Sequence, residues 1–141
     1  MYTPVRWQQR FQNFEKAYNR LVTAIERFKQ NSEDELILEG LVQTYEFTYE
    51  LAINTTRDYL VNSGHPLVDV ASPRVTIKQA LTDSIMTDGT VWMSAIEDRN
   101  LTSHTYDEEI AKEVVKNICE KYFFIIEDLY KFFKNNERSE K

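Results

Sequence analysis

Arg99, Asn100, His104 and Tyr106 fall within one short run, Arg99-Asn100-Leu101-Thr102-Ser103-His104-Thr105-Tyr106, where the chain's polar chemistry is concentrated. Histidine titrates near neutrality, so His104 can take the proton of a sugar hydroxyl or return one to a leaving oxygen. Arg99 can hold a phosphate through two parallel N–H donors and stabilise charge that grows in a transition state. These residue types suit cleavage of an RNA phosphodiester with no metal and no cofactor. A metal cluster is not expected, because His65, His104 and Cys119 lie far apart in the sequence.

Spacing limits how these groups can cooperate. On one straight α-helix Arg99 and His104 would stand about 140° apart, because each residue turns about 100°. Asn100 and His104, four apart, would share a face. Thr105 followed three residues later by Glu108 is a capping box. It predicts a break near Ser103–Thr105 and a helix beginning near Tyr106, whose first amides favour anions. Either that break brings Arg99 and His104 to one cleft, or a symmetric dimer completes the pair. A plainer reading of the same residues stays open: an exposed helix junction, with Arg99 paired to Asp98 or Asp107.

The elements that must position this run are helical. Trp7, Phe11, Phe14, Tyr18, Leu21, Ile25 and Phe28 repeat every seven residues, which predicts a long helix over 3–29 packed lengthwise on others. Ser32 and Glu35 form a capping box for a second long helix, with Leu38, Leu41, Tyr45, Ala52 and Leu60 on its apolar side. It should end near Asn62, with Gly64 and Pro66 as stop signals. Its polar stripe, Glu46, Glu50, Asn54 and Arg57, fits a solvated face, and also fits the wall of a cleft or a partner contact. Ser72-Pro73 opens a shorter helix with Val75, Ala80, Leu81 and Ile85 as packing face. Arg74 and Lys78, one turn apart on it, are two surface cations or a small basic patch. Thr90 caps a short helix carrying Trp92, Met93 and Ile96. The last helix carries Ile110, Val114, Ile118, Tyr122, Ile125, Leu129 and Phe132 or Phe133, to about Lys134. The fold expected is an all-α, antiparallel up-and-down helical bundle of three long and two short helices, one domain over 1–141.

Composition agrees with that class. Hydrophobic residues are 42% of the 141, and only three glycines and three prolines occur, too few for a turn-rich β fold. No apolar run reaches the roughly 20 residues of a membrane span, and no secretory signal opens the chain. With the lone Cys119, this points to the cytoplasm. The net charge of −6 speaks against a protein that coats nucleic acid. Any attraction for RNA must come from a few placed cations: Arg57, Arg74, Lys78 and Arg99.

Arg99 through Tyr106 resembles the Arg-x4-His-x-Tyr motif of HEPN-domain proteins. More specifically, the chain is similar to the nucleotidyltransferase substrate-binding subunits encoded beside a minimal nucleotidyltransferase. The likeness extends over Arg6-Trp7-Gln8-Gln9-Arg10-Phe11, Phe47-Thr48-Tyr49-Glu50-Leu51-Ala52, Ser72-Pro73-Arg74 and Glu97-Asp98-Arg99-Asn100. Ile53 departs from it where the family favours tryptophan. The resemblance implies a homodimer with the motif lining its cleft, bound by the nucleotidyltransferase in a hetero-oligomer. It implies a toxin–antitoxin pair in which this subunit is a metal-independent ribonuclease. By position, Arg99 and His104 are then the catalytic pair, Asn100 orients them, and Tyr106 is the residue the partner modifies with AMP. Glu50, Arg57, Arg74 and Lys78 are candidate substrate or partner contacts. The alternative is a non-catalytic subunit that binds a nucleotide or other substrate for the nucleotidyltransferase.

Overall fold

The seven-residue repeat is realised as α1 (Arg6–Gln30), which buries Trp7, Phe11, Phe14, Tyr18, Leu21 and Ile25 on one side. The computed structural model describes residues 5–65, 72–101 and 107–137, and every regular element among them is helical. After α1 come α2 (Glu35–Asn62), α3 (Pro73–Thr82) and α4 (Gly89–Leu101). The last rod consists of α5 (Glu108–Asn117), a π segment (Ile118–Tyr122) and α6 (Phe123–Asn136). The expected start of α1 at Thr3 lies outside the described residues.

Side-chain pairs fix the directions. Trp7 meets Tyr59 and Thr48 Oγ1 donates to the Ala17 carbonyl, so α1 and α2 are antiparallel. Phe11 meets Phe133 and Tyr18 donates to Glu127, so α1 and α6 are antiparallel as well. Tyr45 against Tyr122 and Tyr59 against Phe133 make α2 and the last rod parallel. Three long rods therefore surround one aromatic cluster. Phe133 is fully buried, with Trp7, Phe11 and Tyr59 at centroid distances of 5.5, 5.8 and 5.6 Å.

Polar groups lock the same register. Asp58 on α2 is buried and accepts from Arg10, with Arg6 Nε 3.4 Å away. Gln8 accepts from the Val5 amide and donates to the Glu137 carbonyl at 2.8 Å, joining the start of α1 to the end of α6. Tyr18 and Tyr130 stack with centroids 4.3 Å apart, and their hydroxyls donate to Glu127 and Glu15.

Local signals place the helix starts, with three corrections. Ser72 accepts from the Val75 amide with Pro73 next to it, as the sequence predicts. For α2, however, Asp34 is the N-cap rather than Ser32, and for α5 it is Asp107 rather than Thr105. In both, one carboxylate oxygen accepts from two of the amides that follow. The charge also complements the helix dipole, so aspartate out-competes the hydroxyl two residues before it. On α3 the expected Val75 is 47% exposed, and Ile77 with Thr76 occupies the packing face. α4 opens at Gly89 after Asp88, whose φ is 61°, so Thr90 lies inside the helix rather than capping it. A Cβ on Gly89 would stand 2.9 Å from Leu81 Cδ1, so glycine permits this close approach.

The last rod is not a plain α-helix. Ile110, Val114, Ile118 and Tyr122 are four apart three times running, and on an α-helix each such step overshoots a full turn by about 40°. The wider turn of the π segment absorbs that drift and keeps Val114, Ile118 and Tyr122 all buried.

Candidate active site

Asp98, next to Arg99, is the anchor of the site. Its Oδ2 accepts from the Tyr122 hydroxyl at 2.6 Å and from Asn117 Nδ2 at 2.8 Å. Both donors belong to the stretch where α5 passes into the π segment, so the wide turn that keeps Tyr122 inward also supplies the contacts that fix α4. Burial, and then the Asp98 carboxylate, push the Tyr122 phenol well above its usual value. The phenol is a permanent donor at ordinary pH.

Below this anchor lies a wall of rings. Tyr45 stacks on Tyr122 at 5.8 Å, Tyr49 lies 5.9 Å from Tyr45, and Trp92 of α4 lies 6.1 Å from Tyr49. The Tyr45 and Tyr49 hydroxyls are buried and have no hydrogen-bond partner among the described residues. Burial raises the Tyr49 phenol, and the positive charges of Arg99 and Arg74 oppose that rise. Arg99 of α4 and Arg74 of α3 thus lie within electrostatic reach of one ring. Arg74 Nη1 also lies 3.8 Å from Met93 Sδ, which ties the start of α3 to α4.

Of the residues expected at the site, Arg99 is half-buried in the last turn of α4. Asn100 is in the same turn, and its side chain lies outside the described residues, as do His104, Thr105 and Tyr106. Arg74 is exposed at the start of α3, and Lys78 is exposed one turn on. Arg57 is half-buried on α2 and donates to Asn54 Oδ1 at 2.9 Å, and Glu50 is exposed. The charges of Arg74 and Arg99 both reach Tyr49. Asp98, Asn117, Tyr122 and Tyr49 were not anticipated as site residues. The signal for Asp98 was its place in Glu97-Asp98-Arg99-Asn100, while its donors lie 19 and 24 residues away. Glu97 and Arg99 flank Asp98, α4 ends at Leu101 and α5 starts at Glu108 under the Asp107 cap, so the chain is not one straight helix from Arg99 onward.

Among the described residues no group of three or more His, Cys, Asp or Glu could hold a metal ion. No helix among them is long and apolar enough to cross a membrane.

This all-helical bundle defines a class of fold that known proteins share. A solved Haemophilus influenzae structure, described as the fold of a substrate-binding domain of a nucleotidyltransferase, superposes with a TM-score of 0.79. It covers 88% of this chain and 98% of that one at 21% identity, and so speaks for the fold. A Haemophilus influenzae protein named probable ribonuclease HepT is 27% identical over 106 residues, 74% of this chain and 70% of that protein. The family described as nucleotidyltransferase substrate binding protein like matches residues 9–135, and the chain belongs to that family. This is the family the motif and its flanking runs resemble.

Proposed function

We propose that this protein is a metal-independent endoribonuclease, the toxin of a toxin–antitoxin pair, held in check by a minimal nucleotidyltransferase in the cytoplasm. The observation that carries the reading is the anchoring of the end of α4. Asp98 is held by Tyr122 and Asn117, and Arg99 is the next residue of the same last turn, directly before the segment that holds His104. The relative named as a probable ribonuclease adds support.

In this mechanism His104 takes the proton of a ribose 2′-hydroxyl as the oxygen attacks the adjacent phosphorus. The P–O bond to the 5′-oxygen breaks, and that oxygen leaves with a proton returned by a general acid. Arg99, oriented with Asn100, holds the phosphate oxygens as charge accumulates. Two copies of the chain form a homodimer whose cleft carries the motif. Arg74 at the start of α3 extends the positive ground for RNA, with Lys78, Arg57 and Glu50 as outer contacts to substrate or partner. The nucleotidyltransferase transfers AMP to the Tyr106 hydroxyl, releasing pyrophosphate from ATP. The added phosphate would occupy Arg99 and close the cleft.

The test is cleavage of labelled RNA in EDTA. Wild-type protein should cut, and Arg99→Ala and His104→Ala should each lower the rate about a hundredfold or more with helicity intact. Cutting retained by both variants overturns the proposal. A second reading is favoured by the family's description as substrate-binding proteins of nucleotidyltransferases: a non-catalytic subunit whose Arg99 site holds a nucleotide for the partner enzyme. Calorimetric titration with ATP, with and without the nucleotidyltransferase, separates the two. Nucleotide binding without any RNA cleavage would establish the second.

A further inference from the structure

Away from the Arg99 site, a groove of about 600 Å³ runs between α1 and the first half of α2. Its floor is aliphatic and small, with Ala24, Ile37, Gly40 and Leu41, and Leu36 stands at its edge 78% exposed. The charged residues that line it are Arg20 and Arg27, both exposed, and no carboxylate does. Neither arginine makes an ion pair among the described residues, in a chain whose net charge is −6. They are seven residues apart on one side of α1, roughly 10 Å along its axis.

Gly40 is a second, independent sign. It sits in the interior of α2, where glycine weakens a helix relative to alanine. A Cβ there would meet nothing within 4 Å, so the packing of this chain does not require glycine. A bare backbone on the floor of a groove lets another backbone come close.

We propose that this groove docks a helix of the nucleotidyltransferase partner, one with an apolar face bordered by carboxylates two turns apart. This rests on the partner reading given above and adds to it where the partner binds. A second copy of this chain fits poorly. A two-fold contact sets a patch against itself, which would oppose arginine to arginine with no carboxylate to separate them. Single-stranded RNA fits poorly too, because the floor has no aromatic ring on which a base could stack.

The experiment measures binding of the full-length nucleotidyltransferase to the full chain by calorimetry at low and high salt. Three proteins are compared: wild type, the double variant Arg20→Glu with Arg27→Glu, and Gly40→Gln. The charge reversal should weaken binding about tenfold or more and remove most of its salt dependence. Gly40→Gln should weaken it similarly while leaving the melting temperature unchanged or higher, because its side chain enters open space. Lysine placed at the partner's facing carboxylates should restore affinity to the charge-reversed variant. If wild type does not bind the nucleotidyltransferase, the partner reading fails and this inference with it. If wild type binds and both variants bind equally well, the groove is not the docking site, and the partner reading stands. Loss of self-association by the variants in sedimentation, or loss of RNA binding with partner binding intact, would assign the groove to another occupant and overturn the proposal.

Discussion

At Asp98 a single carboxylate oxygen receives two donors, the Tyr122 hydroxyl and the Asn117 amide. Removing its charge while keeping its shape should therefore loosen the end of α4. Asp98→Asn should cost about 1–3 kcal/mol in urea unfolding, and RNA cleavage should fall as well because Arg99 loses its fixed neighbour. Tyr122→Phe should cost a similar amount, and the double variant less than the sum of the two. Full additivity in that cycle would show that the bond does not hold the site. Arg99 and Asn100 could be picked out from the sequence because their types suggest phosphate chemistry. Asp98 could not, because a carboxylate beside an arginine reads as its ion-pair partner. What Asp98 does depends on donors from another helix, and spacing within one helix carries no information about them. Asp107 escapes the sequence as a cap for a related reason: Thr105 and Glu108 satisfy the capping pattern, yet a charged acceptor two residues on takes the two amides.

The helices themselves were more legible. The strict repeat of Trp7 to Phe28 and the Ser72-Pro73 start correspond to α1 and α3 within a few residues. The π segment was not foreseen, although its trace lay in the four-residue steps from Ile110 to Tyr122. Those steps admit either a helix whose apolar stripe drifts or a wide turn that cancels the drift, and packing against α2 and α4 decides. Deleting Cys119 tests this. A wide turn holds one residue more than an α turn, so the shortened rod would regularise to α-helix with α5 and α6 still facing as before. The core side of both would be kept, but Asn117 and Tyr122 would stand one residue closer along the rod and no longer both fit Asp98. Near-ultraviolet circular dichroism should stay close to native, while cleavage should fall. Full activity would mean the wide turn is dispensable. By contrast, Phe133→Ala should leave the active geometry in place and cost about 3–5 kcal/mol of stability, since it opens the middle of the ring cluster.

Across the whole molecule, burial raises the phenols of Tyr18, Tyr45, Tyr49, Tyr122 and Tyr130. A raised folded-state value means that the fold favours the protonated phenol. Their contribution is complete below the ordinary value of 10.0 and is lost as pH climbs through the raised values. Glu15 acts at the other end. Burial alone would raise its carboxyl, but the Tyr130 hydroxyl and the Lys134 ammonium outweigh it and hold it below the ordinary 4.5. Its contribution is present above that value and fades as pH falls through the lowered one. Stability should be flat near neutrality and fall steeply above about pH 10. Five of the eight tyrosines should show tyrosinate absorbance only together with the loss of helicity. Early ionisation of all eight, with helicity retained, would contradict the burial described.

The Tyr130–Glu15 bond joins residues 115 apart in the chain, and Gln8 reaches 129 residues forward to Glu137. Closing a loop that long carries an entropic cost that is met only when α6 arrives. During synthesis, then, α1 and α2 can pair early, but Trp7, Phe11 and Phe14 keep an uncovered side until α6 has left the ribosome. A nascent chain stalled before Phe123 should bind chaperones and yield to protease, and one extended past Asn136 should resist both. For a protein proposed to cut RNA, this ordering has a use: the Asp98 clamp waits on Tyr122, so no chain that ends before that residue can carry an assembled site.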